Sequence, residues 1–219
     1  MKTISAFMAL ALSLVFIIPA QAQSGMSIEN WKDIKVGPMF TAGVATNAGT
    51  TSSGLKPGTG FAFSVGGLAI FPFSTNIGFD LALCYDARTI NFHDETNTAN
   101  GTDITTGYLA IRPGFNLGDF TIGLGIGVPM ALTLTSKPDN TSIPGYSTSD
   151  MNMLFEGRIG GSIPVMETDR TELRLLIEGA YGFTQIIKTA SAGPEPSNDN
   201  GPVASVELGL AYLFDLTPH

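Results

Sequence analysis

Residues 120–135 read Phe-Thr-Ile-Gly-Leu-Gly-Ile-Gly-Val-Pro-Met-Ala-Leu-Thr-Leu-Thr, and almost every second residue is large and apolar. On a strand of period two, Phe120, Ile122, Leu124, Ile126, Val128, Met130, Leu132 and Leu134 share one face. Thr121, Gly123, Gly125, Gly127, Ala131 and Thr133 share the other. A soluble barrel would turn its apolar face inward. In other alternating stretches of this chain the face opposite the apolar one carries Arg and Glu, so the apolar face is expected to look outward, into lipid.

Eight such stretches are expected as strands, at residues 34–46, 59–71, 76–91, 104–116, 119–135, 149–165, 172–187 and 202–214. At about 3.3 Å per residue and a tilt of about 45°, strands of this length cross an apolar band of about 25 Å. The connections alternate in length. Pro72 to Thr75, Asn116 to Asp119 and Met166 to Thr171 are compact, whereas Asn47 to Gly58, Phe92 to Asp103, Ser136 to Thr148 and Lys188 to Gly201 are long and polar. An up-and-down barrel in an outer membrane has short periplasmic turns and long outer loops, which puts both termini in the periplasm. The expected fold is therefore all-β: an eight-stranded, antiparallel, up-and-down transmembrane β-barrel over residues 34–219.

The composition agrees. The chain has 219 residues, 26 of them Gly, only 14% charged residues and a net charge of −8. One domain is expected, and nucleic acid is excluded as a partner because no basic cluster exists to meet phosphates. Residues 1–22 have the form of a signal peptide: Lys2, an apolar core from Ile4 to Ile18, and Ala20-Gln21-Ala22 as the cleavage site. The apolar core is shorter than the roughly 20 residues of a membrane helix. Cleavage would leave Gln23 first, and residues 23–33 as a short periplasmic segment. Cys84 is the only cysteine, so neither an internal disulfide nor a Cys/His zinc site is expected.

In the last strand Ala204, Val206, Leu208, Leu210, Tyr212 and Phe214 alternate outward. Here the chain resembles the small bacterial outer-membrane β-barrel family, the eight-stranded OmpA/OmpX-like and PorT-like proteins. The resemblance covers the whole chain after the signal and rests on pattern. It implies outer-membrane localisation, lipid as a partner, and delivery by periplasmic chaperones and the barrel-assembly machinery. Tyr212 and Phe214 then stand where that family carries its aromatic insertion signal, although Asp215 to His219 follow them.

Carrying the alternation through every strand turns Lys35, Arg88, Arg112, Arg158 and Arg174 inward, together with Asp80, Asp86, Glu156, Glu178 and Glu207. Opposed charges with hydrogen bonds make a tolerable interior where lone ones would not, and eight strands enclose a space that side chains can fill. An ionic network plugging the lumen is expected, with Arg158 and Glu178 as its most closely linked pair. A tight hairpin pairing Asn116 with Asp119 would set Arg112 over Gly123, Ala110 over Gly125 and Tyr108 over Gly127. Met151 and Met153 are expected at the lipid face or the rim. Most of the aromatics, among them Trp31, Phe71, Phe79, Phe115, Phe155 and Tyr181, read as interfacial girdles.

The function this supports is non-enzymatic: a structural or surface-interaction protein whose four outer loops meet any extracellular ligand. No cofactor, metal or catalytic residue is expected. A narrow porin-like channel is the first alternative. An outer-membrane lipid hydrolase is the second, with His93, Asp94, Glu95 and Ser149 at the outer rim as its only material. A soluble ligand-binding barrel is the last, and the charge placement opposes it.

Overall fold

The computed structural model describes residues 34–49, 55–74, 76–188 and 201–216. The signal sequence, the segment 23–33 with Trp31, the proposed start at Gln23, and parts of the first and last long loops lie outside the described residues. Among the described residues there are ten strands: β1 (Lys35–Asn47), β2 (Leu55–Pro57), β3 (Thr59–Ser74), β4 (Ile77–Asp94), β5 (Gly101–Leu117), β6 (Phe120–Lys137), β7 (Thr141–Ser142), β8 (Leu154–Glu167), β9 (Thr171–Gly182) and β10 (Val203–Asp215). Eight of them close a ring in the order β4-β3-β1-β10-β9-β8-β6-β5, with β5 returning to β4. Every pairing is antiparallel. This is an eight-stranded up-and-down barrel; β2 and β7 are short strands laid against the long-connection ends of β4 and β6.

Short turns and long connections alternate around the ring. Lys35 pairs with both Ile70 and Asp215, so the first and last barrel strands close at the short-turn end. The side-chain alternation sends large apolar residues out. Phe40, Val44, Phe61, Leu83, Leu124, Ile159, Val206, Leu208 and Leu210 are all exposed. Apart from Lys56 on β2 and Glu167 at the end of β8, no charged residue of a described strand is exposed.

Three details depart from the sequence reading, each for a local reason. Two residues, Gly118 and Asp119, make the β5–β6 turn, and the pairs are Asn116↔Thr121, Gly114↔Gly123 and Ala110↔Gly127. The register is displaced by two residues from the expected one. Gly118 has φ +62°, and the two-residue turn places its positive-φ glycine first rather than second. Second, the face of β6 reverses near Pro129. Tyr108 pairs with Pro129 but Gly107 with Ala131, so the adjacent Met130 and Ala131 both point out, and Leu132 and Leu134 turn in. A proline donates no ladder hydrogen bond and sits naturally at such a bulge.

Third, the facing ends of β8 and β9 are shorter than expected. Thr148–Asp150 form a 3-10 turn capped by Ser147 and Asp150, and β8 begins only at Leu154. Regular β9 ends at Gly182, where Thr184 enters the ladder: its hydroxyl accepts from Phe155 N and donates to Met153 O. Beyond it the two segments still run together through an isolated Met151–Ile187 bridge. Met151 is consequently buried against Tyr108 and Leu154, not at the lipid face or the rim.

The aromatics outside the barrel gather in rows near the strand ends. Phe71 pairs with Phe79 and Phe79 with Phe115, giving a row across β3, β4 and β5 beside the short turns. Tyr212 and Phe214 stand at the same end of β10 in an edge-to-face pair, with ring centroids 4.9 Å apart. Phe40 is an exception, lying mid-strand against Leu210 and Val65.

Candidate functional site

The candidate site is the barrel interior. Alternation brings six charged residues from β4, β5, β8 and β9 into one cluster at mid-height. Arg88 forks onto Asp86, with Nε 3.0 Å and Nη2 2.6 Å from its carboxylate oxygens, and its Nη2 also lies 2.7 Å from Glu156 Oε2. Arg112 donates to Asp86 from the next strand. Arg158 donates to Glu156 at 2.5 Å and to Glu178 on β9. Gly160 is the residue opposite Glu178, which leaves Arg158 on the diagonal and within reach. Arg88, Asp86 and Glu156 are all but fully buried, and each would be costly there without its partners.

Glu207 joins this cluster through a hydroxyl rather than an ion pair. It accepts from Thr41 at 2.5 Å, from Ser64 at 3.1 Å and from Ser205 at 3.3 Å. Ser64 in turn accepts from Arg112 at 2.9 Å, so a hydrogen-bonded chain runs from β5 through β3 to β10. Asp80 lies beside Glu178 and Arg158 around a cavity of about 40 Å³ that Arg112, Thr121 and Ser162 also line. The alternation identified all of these residues except the hydroxyls, which occupy inward positions of the same parity.

The ten charged residues expected as one network fall into two groups. Lys35 and Arg174 sit at the short-turn end, around Glu172. Lys35 Nζ is 2.6 Å from Glu172 and 3.4 Å from Glu167, and Arg174 reaches Glu172 at 3.0 Å and Asp119 at 3.6 Å. Glu172 was missed because it adjoins the turn, yet it has the parity of Arg174 and Glu178 and is buried. The mid-height group is left with three arginines against five carboxyls, so the expected balance of five against five does not hold within either group.

Above the ionic layer, toward the long loops, the interior is apolar. Ile90, Phe92, Ile104 and Leu134 pack with Ala45, Ala62, Val203, Ile186 and Ile187 in one buried cluster, and Ile143 and Tyr146 lean on it. A second cluster, Tyr108, Met151 and Leu154, lies beside it. Inward glycines make room for long side chains: a Cβ on Gly125 would meet Glu156 Cγ at 2.5 Å.

Of the rim residues considered for hydrolysis, the Ser149 hydroxyl is 2.7 Å from that of Ser147, Asp94 Oδ1 accepts from Thr96 N, and Glu95 is paired with Lys56. The backbone of His93 lies in the ladder opposite Lys56 and Gly101. Among the described residues no group of three or more His, Cys, Asp or Glu is placed to hold a metal ion.

Fold and interior together define the class: an up-and-down barrel with an apolar exterior and an ionic and apolar interior. Among solved structures the chain is similar to the attachment invasion locus protein Ail of Yersinia pestis, at 10% identity over 83% of this chain and 99% of that one, TM-score 0.43. It is also similar to Neisserial surface protein A (12% identity, 84% and 97% covered, TM-score 0.39). A third is the outer-membrane protein OprG of Pseudomonas aeruginosa (9% identity, 84% and 95% covered, TM-score 0.32). No protein-family model and no curated protein matches the sequence. At these scores the likeness is one of outline, and the functional reading rests on the residues themselves.

Proposed function

We propose that this protein is a non-enzymatic barrel of a bacterial outer membrane, a rigid mount that holds its long loops at the cell surface. The observation that carries the reading is the exterior. Large apolar side chains are exposed around the whole ring, and charge is confined to the interior and the strand ends. Soluble monomers rarely expose contiguous apolar patches beyond a few hundred Å². A lipid environment turns that surface into a stabilising one, and the closed ring leaves no strand edge unpaired in hydrocarbon.

In this reading residues 1–22 are removed and Gln23 begins the mature chain. The short turns, with Lys35 and Asp215, face the periplasm. Tyr212 and Phe214 serve as the aromatic signal met by the assembly machinery. The lumen is plugged by the Asp86, Arg88, Arg112, Glu156, Arg158 and Glu178 cluster, and any extracellular partner is met by the loops.

The experiment is fractionation of the expressed protein, with intact-mass analysis, followed by single-channel recording in planar bilayers. Outer-membrane recovery with near-zero conductance supports the reading, and recovery as a soluble species without detergent ends it. Steady ion-selective current would promote the second reading, a narrow channel. That alternative is favoured by an opening of about 280 Å³ at the short-turn end, lined by Asn76, Asn116, Asp119, Ser162 and Arg174.

A further inference from the structure

We infer that the lumen has two seals in series, an ionic one at mid-height and an apolar one beneath the loops, and that water enters the barrel from the short-turn end only. This deepens the plugged-barrel reading and rests on it. The short-turn opening of about 280 Å³ and the cavity of about 40 Å³ share Thr121 and Ser162, so they adjoin. The inner cavity is bounded by Asp80, Glu178, Arg112 and Arg158 and also by Met39, Leu68, Ala82 and Leu176, which belong to one buried apolar cluster. Arg112 Nε and Nη1 and Ser162 Oγ have no protein hydrogen-bond partner. A space of this size with four charged side chains and Thr121 in its wall has room for water.

The route ends at the ionic cluster, where Arg88, Asp86 and Glu156 are inaccessible. The next inward residues toward the loops are Thr106, then Ile90, Ile104 and Leu134. Thr106 is buried and donates to the backbone oxygen of Arg88, so it lies between the charges and the apolar cluster. Ile104 pairs with both Ile90 and Leu134, one apolar row across three strands, and Ile186 and Ile187 from the segment after β9 close over it. An apolar constriction excludes ions by refusing to wet, without any charge. The consequence separates this inference from an ionic plug alone: dissolving the central salt bridges leaves the barrel closed.

The test uses the full-length protein with Cys84→Ser, refolded in detergent micelles so that both ends meet solvent. A single cysteine is placed at Thr121 or at Thr106 and challenged with a charged thiol reagent. Heat-modifiable migration on gels reports the folded barrel for every variant, so a failure of the barrel itself is seen apart from a failure of the seals. Thr121→Cys is expected to react readily, and Thr106→Cys more slowly by on the order of a hundredfold. Opening either side should release Thr106→Cys: Arg158→Ser with Glu178→Ser from below, or Ile104→Ser with Leu134→Ser from above. In planar bilayers each pair of substitutions alone should leave conductance near zero, and all four together should raise it. Equal reactivity at Thr106 and Thr121 in the otherwise unchanged barrel, an inert Thr121→Cys, or conductance from either pair alone would overturn the inference.

Discussion

Arg88 on β4 and Glu156 on β8 meet at 2.7 Å although β5 and β6 stand between their strands in the ring. Neighbours on one sheet face touch because register puts them side by side. Strands three places apart touch only when two long side chains cross the interior. This contact, more than any pair along the wall, ties opposite sides of the barrel together, and Arg112 does the same in a smaller span by reaching Ser64 on β3.

Removing one member of the Arg88–Glu156 pair strands the other's charge among groups that no longer balance it. Arg88→Met or Glu156→Leu alone should cost about 3–5 kcal/mol, and the double replacement distinctly less than the sum. Urea unfolding of the protein in lipid vesicles measures both. Additive costs would show that the two side chains do not depend on each other.

Gly125 tests the space the cluster needs. An added methyl would stand 2.5 Å from both Cγ and Oε1 of Glu156, and Glu156 is held by Arg158 and Arg88, so it cannot swing away freely. Gly125→Ala should destabilise by about 1–3 kcal/mol as overpacking does. Gly67→Ala is the control, since its Cβ would find nothing nearer than 3.8 Å. The same unfolding titration compares them.

The strand pattern was legible because lipid outside and polar groups inside impose period two on every strand, and parity alone turned the arginines and their carboxylates inward. What parity could not supply was depth and reach. Arg88 meeting Glu156 depends on tilt and stagger around the ring, quantities no single strand encodes. Pro129 marked the reversal on β6, yet a proline on an inward-reading position, with the parity of Gly127 and Ala131, does not announce that the next two residues will both face out. Leu132 and Leu134 were therefore assigned to lipid, and the apolar cluster they help build was missed. Glu172 was within reach of the same alternation and was lost only to its nearness to the turn.

Met151 tests the irregular approach to β8, where an isolated bridge to Ile187 replaces the regular ladder. It is 2% exposed and packs on Tyr108 and Leu154, where a residue at the rim or facing lipid would not. Met151→Ala should leave a cavity and cost about 2–5 kcal/mol. Met153→Ala, at a half-buried position with no place in the buried clusters, should cost less. Equal, small losses in the titration would return Met151 to the surface.

The β4–β5 tip should be dispensable for folding. Its six residues between Asp94 and Gly101 are exposed; Asp94 Oδ1 accepts from Thr96 N at 2.7 Å and from the Thr96 hydroxyl at 2.6 Å, and among the described residues the one ion pair to another strand is the exposed Glu95–Lys56 contact. Replacing Glu95–Asn100 with Asn-Gly keeps the His93↔Gly101 ladder and changes closure entropy by about 1 kcal/mol or less. Heat-modifiable migration should be unchanged, and binding to intact cell-surface partners reduced if this loop carries recognition. Loss of the folded band would make the tip structural.

The exterior decides between lipid and water. Leu124 is 55% exposed on β6, midway between the turn at Gly118 and the bulge at Pro129, and Met166 is 51% exposed at the short-turn end of β8. On a soluble protein an arginine at either exposed site would change stability by no more than about 0.5 kcal/mol. In a bilayer the cost depends on depth, about 2–4 kcal/mol near the midplane and about 0–1 near the interface. Leu124→Arg should therefore destabilise the vesicle-folded barrel strongly and Met166→Arg weakly, measured by the same urea titration. Small and equal effects at both positions would mean that water bathes the outer face, and the membrane reading would fall with that result.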